Sequence, residues 1–223
     1  ETFSPTVRFK TFILLCTLKA SSAGRIKADL WDVSTAFLNA DADAEMYCEQ
    51  PAGWEVESKP RRSWVYKLDK TIYGTKQAGR NWHIHLKAIM SGLGFIQSRA
   101  DECLFTLSME GKYLFILVHV DDMAVFYECD DMYDHVFKQI NIRVICKSSE
   151  GLNMFLGVRI IHNVDGSVEL SQEHYIDTLA ERFQQTEKDW IGVSLPYASS
   201  VRLLSSMRPQ NDEERAYALS LPY

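Results

Sequence analysis

Residues 112–127 read KYLFILVHVDDMAVFY. Two apolar runs, Lys112 to Val120 and Met123 to Tyr127, flank the adjacent pair Asp121 and Asp122. Aromatic and β-branched residues dominate both runs, which predicts two strands. Aspartate is a poor strand former, and two neighbouring carboxylates beside a buried sheet repel each other and lose hydration. A chain needing only a turn is better served by Asn-Gly or Asp-Gly. The pair makes chemical sense if a divalent cation lies against the turn and supplies positive charge. The plainer alternative is a hairpin turn with no further role.

Asp32 extends the pattern. It follows ADLW and precedes VSTAFL, at the end of a second apolar segment. A strand there could deliver it beside the hairpin. Three aspartate oxygens suit Mg²⁺ or Mn²⁺, which favour hard oxygen ligands. Two such ions about 3.5–4 Å apart activate a hydroxyl and stabilise a leaving oxygen in phosphoryl transfer. The plainer alternative makes Asp32 a helix cap before STAFL.

The chain has 223 residues, enough for one large domain or two lobes. Its five cysteines are scattered without a CxxC pair, which argues against a zinc site or a disulfide framework and for a reducing, intracellular compartment. The apolar stretches are too short for a membrane span, and no signal peptide is visible. The first residue, Glu1, is not methionine, so a piece of a longer protein is expected. The formal charge is −6, unevenly spread. Between residues 59 and 87, eight Lys and Arg face the single acid Asp69, with Trp64, Tyr66, Tyr73 and Trp82 interleaved. Cations for phosphates and rings for bases form a nucleic-acid footprint; a solvated basic face over core aromatics is the alternative.

Periodicity predicts helices over 12–18, 80–91, 130–140 and 173–183, and a helical turn over 34–38 capped by Ser34 or Thr35. Strands are predicted over 26–31, 45–49, 64–68, 103–109 and 113–120. A further strand over 154–162 pairs with 167–171 around Asp165-Gly166. Hairpins without βαβ alternation indicate an α+β fold.

Seven blocks then occur in order: FSPTVRF from Phe3, DVSTAFLNADADAEMYCEQPAGW from Asp32, KLDKTIYGTKQAGRNW from Lys67, GF-x4-AD-x-CLF from Gly94, HVDDM from His119, FLGVRI from Phe155 and LSQEHYI from Leu170. In these the chain resembles the reverse transcriptase of copia-type LTR retrotransposons, a fragment of their Pol polyprotein. The resemblance implies a right-hand polymerase fold: an antiparallel palm sheet backed by helices, fingers and a partial thumb. Fingers would span about 1–27 and 47–79, palm about 28–46 and 80–170, and the start of the thumb or connection about 171–223. DEERAYALSLPY resembles the lead into an RNase H region, which would itself be absent.

The implied activity is RNA-directed DNA polymerisation, adding deoxynucleotides to a primer 3′-hydroxyl with two Mg²⁺ or Mn²⁺ ions. The implied partners are an RNA or DNA template with its primer, and dNTPs. No membrane is involved, and the parent polyprotein would also carry integrase and RNase H. The setting would be cytoplasm, virus-like particle or nucleus. By motif, Asp32 and Asp121 are the main metal ligands, Asp122 completes the acidic cluster and the Val33 carbonyl is an extra ligand. Phe37 stands at the steric gate against a 2′-hydroxyl, Gln77 touches the incoming nucleotide, and Arg8 holds its triphosphate. His119, Lys76 and Arg80 face primer or template.

Three positions depart from the family pattern. His119 replaces a tyrosine close to the primer terminus; an imidazole stacks too, but its charge changes between about pH 5 and 8. Activity should therefore fall on acidification more than in a His119→Tyr variant. Gly79 stands where many relatives have proline, loosening the backbone behind Gln77. DADAE replaces a more acidic stretch. A catalytically silent remnant that binds nucleic acid or a partner protein is the alternative function.

Overall fold

A computed structural model describes residues 2–61, 63–183, 204 and 208–220. It divides into two compact units, 1–170 and 171–223.

The first unit runs in chain order through α1 (Phe9–Ser21), β1 (Lys27–Val33), α2 (Ala36–Asn39), β2 (Tyr47–Glu49), β3 (Val65–Lys67) and α3 (Ala78–Gly92). It continues with β4 (Ile96–Gln97), β5 (Leu104–Met109), β6 (Lys112–His119), β7 (Asp122–Tyr127), α4 (Asp130–Asn141), β8 (Cys146–Ser149), β9 (Met154–Phe155), β10 (Val158–His162) and β11 (Val168–Ser171), whose last residue begins the second unit. The second unit holds α5 (Glu173–Arg182) and α6 (Asp212–Ser220). The stretch 184–203, assigned from the sequence to the start of a thumb, lies outside the described residues.

Six strands form one antiparallel sheet in the order β4-β5-β6-β7-β1-β8. Alternation along the strands sends successive side chains to opposite faces. Trp31, Val33, Met123 and Val125 go to one face and pack with Trp82, Leu86 and Met90 of α3 and Val136 and Ile140 of α4. Leu117, Ala124 and Phe126 go to the other, against Phe12, Leu15 and Cys16 of α1 and Leu152, Phe155 and Ile160. Both faces are thus covered, which is why β7 is buried at five of six positions although its sheet is antiparallel. The sequence reading of α+β architecture holds.

Three local expectations change. The run 154–162 is two strands, not one: Leu156 and Gly157 have φ of 53° and 71°, and β9 folds back on β10. Two consecutive positive φ angles make a type I′-like turn, for which glycine in the second place is well suited. The helical turn α2 is not capped by Ser34 or Thr35. Thr35 adopts φ 51° and its hydroxyl binds the Ser34 carbonyl instead. Strand β8 has no counterpart in the sequence reading; its burial pattern, one buried residue and three exposed, carries no alternation to read. All five cysteines are free, as their scatter suggested.

Candidate active site

The β6–β7 hairpin sets the centre of the site. His119 pairs with Asp122, so Val120 and Asp121 alone form the turn. Val120 takes φ 59°, a region costly for a β-branched side chain. Two bonds hold the turn open in that shape. The Trp82 indole N–H donates to the Val120 carbonyl at 2.6 Å, and Val33 N–H donates to the Asp121 carbonyl at 2.9 Å. Asp121 is thereby tied to the strand that carries Asp32.

Strand β1 lies directly beside β7, and Asp32 is the register partner of Asp122. Directly opposed residues share one face of an antiparallel pair, with Cβ atoms about 4.5–5.5 Å apart. Folding thus carries position 32 next to positions 121–122. Asp32 is exposed, and Asp121 and Asp122 are half-buried. Burial raises the Asp122 carboxyl above its ordinary value; Asp121 and then Asp32 add to the rise, and His119 opposes it. Among the described residues none of the three carboxylates has an ion pair or a side-chain hydrogen bond. Nor do any three His, Cys, Asp or Glu side chains among the described residues form a ready-made metal cage. The donor set nevertheless fits a hard cation: oxygen only, mutually repelling, and without an ion pair among the described residues. Mg²⁺ in particular usually takes one or two carboxylates and completes its shell with water and substrate phosphates.

On its other side Asp32 is the register partner of Lys147 in β8. The sequence reading missed this lysine. KSSE looks like a polar loop, and only the β1–β8 pairing gives it a place. The pairing places a cation at the position facing Asp32, although the two side chains form no ion pair among the described residues.

Phe37 is half-buried, its ring 4.7 Å from that of Tyr73. It shares a small cavity of about 30 Å³ with Val120, Trp82, Gly79, Ser4 and Pro5. This brings Phe37 to the strained turn. The Gly79 backbone is tied at its carbonyl by the Ser4 hydroxyl, at 3.1 Å. Gln77 precedes α3 and points its amide at the Met46 sulfur. His119 sits edge-on to Phe155, ring centroids 6.5 Å apart.

The remaining predicted residues lie elsewhere or are engaged. Arg8 opens α1 and lines a separate groove of about 280 Å³ with Arg99 and Asp101, a groove containing none of the three aspartates. Arg80 pairs with Asp43 at 3.1 Å. Lys76 is exposed and has no ion pair among the described residues.

Comparison with known proteins assigns the chain. Residues 1–197 match the family described as "Reverse transcriptase (RNA-dependent DNA polymerase)". The chain belongs to this family. It is 31% identical to the retrovirus-related Pol polyprotein from transposon TNT 1-94 of Nicotiana tabacum, and 31% identical to that from transposon RE2 of Arabidopsis thaliana. Both alignments cover 100% of this reverse transcriptase chain, but 16% and 15% of the relatives. The chain therefore spans roughly a sixth of the length of these Pol polyproteins. A shorter relative, the putative transposon Ty5-1 protein of Saccharomyces cerevisiae, is 32% identical over 65% of the chain and 46% of its own length. No solved structure gives a significant match. Among the described residues, no helix of this reverse transcriptase domain is long and apolar enough to cross a membrane.

Proposed function

We propose that this chain is the polymerase module of a copia-type Pol polyprotein, extending a primer on an RNA or DNA template. The six-stranded sheet serves as palm, and the β2–β3 region with the N-terminal segment as fingers. The second unit begins a thumb. The observation that carries the reading is the β1–β7 register, with Asp32 facing Asp122 and Asp121 on the adjoining turn.

Asp32, Asp121 and Asp122, with the Val33 carbonyl, would hold two Mg²⁺ or Mn²⁺ ions. Bound there, such ions lower the pKa of the primer hydroxyl and offset charge on the leaving pyrophosphate. The chain's own residues do the positioning. Trp82 and Val33 fix the turn. Phe37 would close the floor under the sugar and exclude a 2′-hydroxyl. Gln77 would contact the incoming nucleotide, with Arg8 at its triphosphate. His119 would stack near the primer terminus. Lys76 and Arg80 would follow the template or primer backbone.

Primer extension on poly(rA)/oligo(dT) with Mg²⁺ or Mn²⁺ tests the reading. The parent chain extends the primer and Asp121→Asn does not. Binding without extension would instead favour the silent-remnant reading, which the histidine at 119 supports. Strand degradation would point to a two-metal nuclease.

A further inference from the structure

The basic stretch is not a bare cationic surface. Asp41, Asp43 and Glu45 each engage one of its cations. Lys70 Nζ donates to Asp41 Oδ1 at 2.6 Å, Arg80 Nη1 to Asp43 Oδ2 at 3.1 Å, and Lys67 Nζ to Glu45 Oε1 at 3.2 Å. Glu49 adds a looser pair with Arg61 at 3.9 Å. The acids come from one short run and the cations from residues 61–80. Backbone bonds hold the two segments together: Leu68 N–H to Met46 O, Ala42 N–H to Asp69 O and Thr71 N–H to Ala40 O.

Magnitudes decide what such an arrangement can do. Exposed ion pairs contribute little, because water screens the charges and holding two long side chains together costs entropy. The carboxylates of Asp41 and Glu45 are 82% and 70% exposed, so these two pairs are weak and a nucleic-acid phosphate can displace them at small cost. Asp43 is 46% exposed and also accepts from the Asn81 amide at 3.0 Å, so it is the last of the three to be released. The exchange is also nearly silent in counter-ions. The phosphate releases its condensed cation, while the freed carboxylate takes one up. A cation masked in this way adds little to affinity and little to its salt dependence, whereas a free one steepens the salt slope by about 0.9 per phosphate contact.

We propose that residues 41–45 act as an internal stand-in for the phosphate backbone, occupying Lys67, Lys70 and Arg80 until a polyanion displaces all three carboxylates together. The proposal rests on the nucleic-acid-binding reading above and adds to it a threshold. Short or sparsely charged anions cannot release three carboxylates at once; a continuous strand can. The acids that make the chain net negative are here set against particular cations rather than spread as a general repulsive field.

The test is fluorescence anisotropy with the full chain and a labelled DNA primer–template, between about 50 and 200 mM salt. The variant is Asp41→Asn/Asp43→Asn/Glu45→Gln. The control is Asp134→Asn/Glu150→Gln/Glu169→Gln, the same change in charge at exposed acids without ion pairs among the described residues. The expected result is at least about tenfold tighter binding by the variant at low salt, and a log–log salt slope steeper by about 2–3. The control should change the slope by less than one. Adding Lys67→Gln/Lys70→Gln/Arg80→Gln to the variant should return the slope to the parent value. Should the triple variant fail a thermal-melt check of folding, Glu45→Gln alone, at one exposed pair, carries the same sign at about a third of the slope change. A parent that binds, with equal slopes in variant and control, overturns the inference alone. No binding by any of the proteins overturns both it and the nucleic-acid reading.

Discussion

Two groups of acids lie within the same domain and behave in opposite ways. Asp32, Asp121 and Asp122 meet at adjoining strand ends with no ion pair among the described residues, and the Asp122 carboxyl is pushed up. Asp41 and Asp43 each have a cation, and both carboxyls are held below the ordinary range: Asp41 by the hydrogen bond from Lys70, Asp43 by the one from Asn81. The residue type is the same. The difference is whether the fold supplies the counter-charge or leaves it to be supplied from outside. Unpaired acids concentrated by a rigid scaffold point to a ligand; acids matched one-to-one with exposed cations point to surface chemistry that exchanges.

The largest expected effect separates the two groups by function. Asp121→Asn should reduce primer extension by more than about a hundredfold, since a hard-cation site loses a charged ligand. Retained extension would place Asp121 among the merely structural acids.

The next effects concern the scaffold that concentrates the unpaired group. Trp82→Phe orphans the Val120 carbonyl and should destabilise the domain by about 1–3 kcal/mol in urea unfolding. Val120→Gly should act oppositely, gaining about 1 kcal/mol because glycine accepts φ 59° without strain. A loss on Val120→Gly would mean that side-chain packing, not backbone strain, rules the turn.

Smaller still is a pH effect, and its sign differs between the groups. A carboxyl whose folded pKa is raised stabilises the fold most when protonated, below about pH 4, and that contribution is lost as pH rises through the folded value. Asp122→Asn should therefore raise the melting temperature at pH 7, with the gain vanishing toward acid. For Asp41, held low, the contribution is present above about pH 4 and lost as pH falls through the folded value. Asp41→Asn should lower the melting temperature slightly at pH 7, with the loss shrinking at high salt. Equal signs for the two variants would dissolve the distinction.

Much of this was legible along the chain. Continuous apolar runs rich in aromatic and β-branched residues gave β6 and β7, because both faces of that part of the sheet are covered, and period-3.6 gave α3 and α4, because each buries one continuous face. The Asp-Asp pair was conspicuous because it violates strand and turn preferences, but the turn itself is Val120-Asp121, with Asp122 already in the strand, one residue earlier than the sequence suggested. The break at Leu156-Gly157 was not read. An apolar run conceals a two-residue turn, and only Gly157 hinted at it. The footprint at 59–87 was read as a nucleic-acid surface or a solvated basic face, with no acid assigned to any of its cations. Their partners lie 22–37 residues away in sequence, and opposite charges carry no pattern that says which pairs with which.

The sequence by itself determined most of the elements, the family and the three aspartates, because burial period and motif order are properties of a string. Only the tertiary structure decided the company each charge keeps. It set Asp32 between Asp122 and Lys147, and closed Asp41, Asp43 and Glu45 onto their cations. The physical reason is that strand register and cross-strand pairing are fixed by the packing of both sheet faces at once, a condition no local stretch of chain contains.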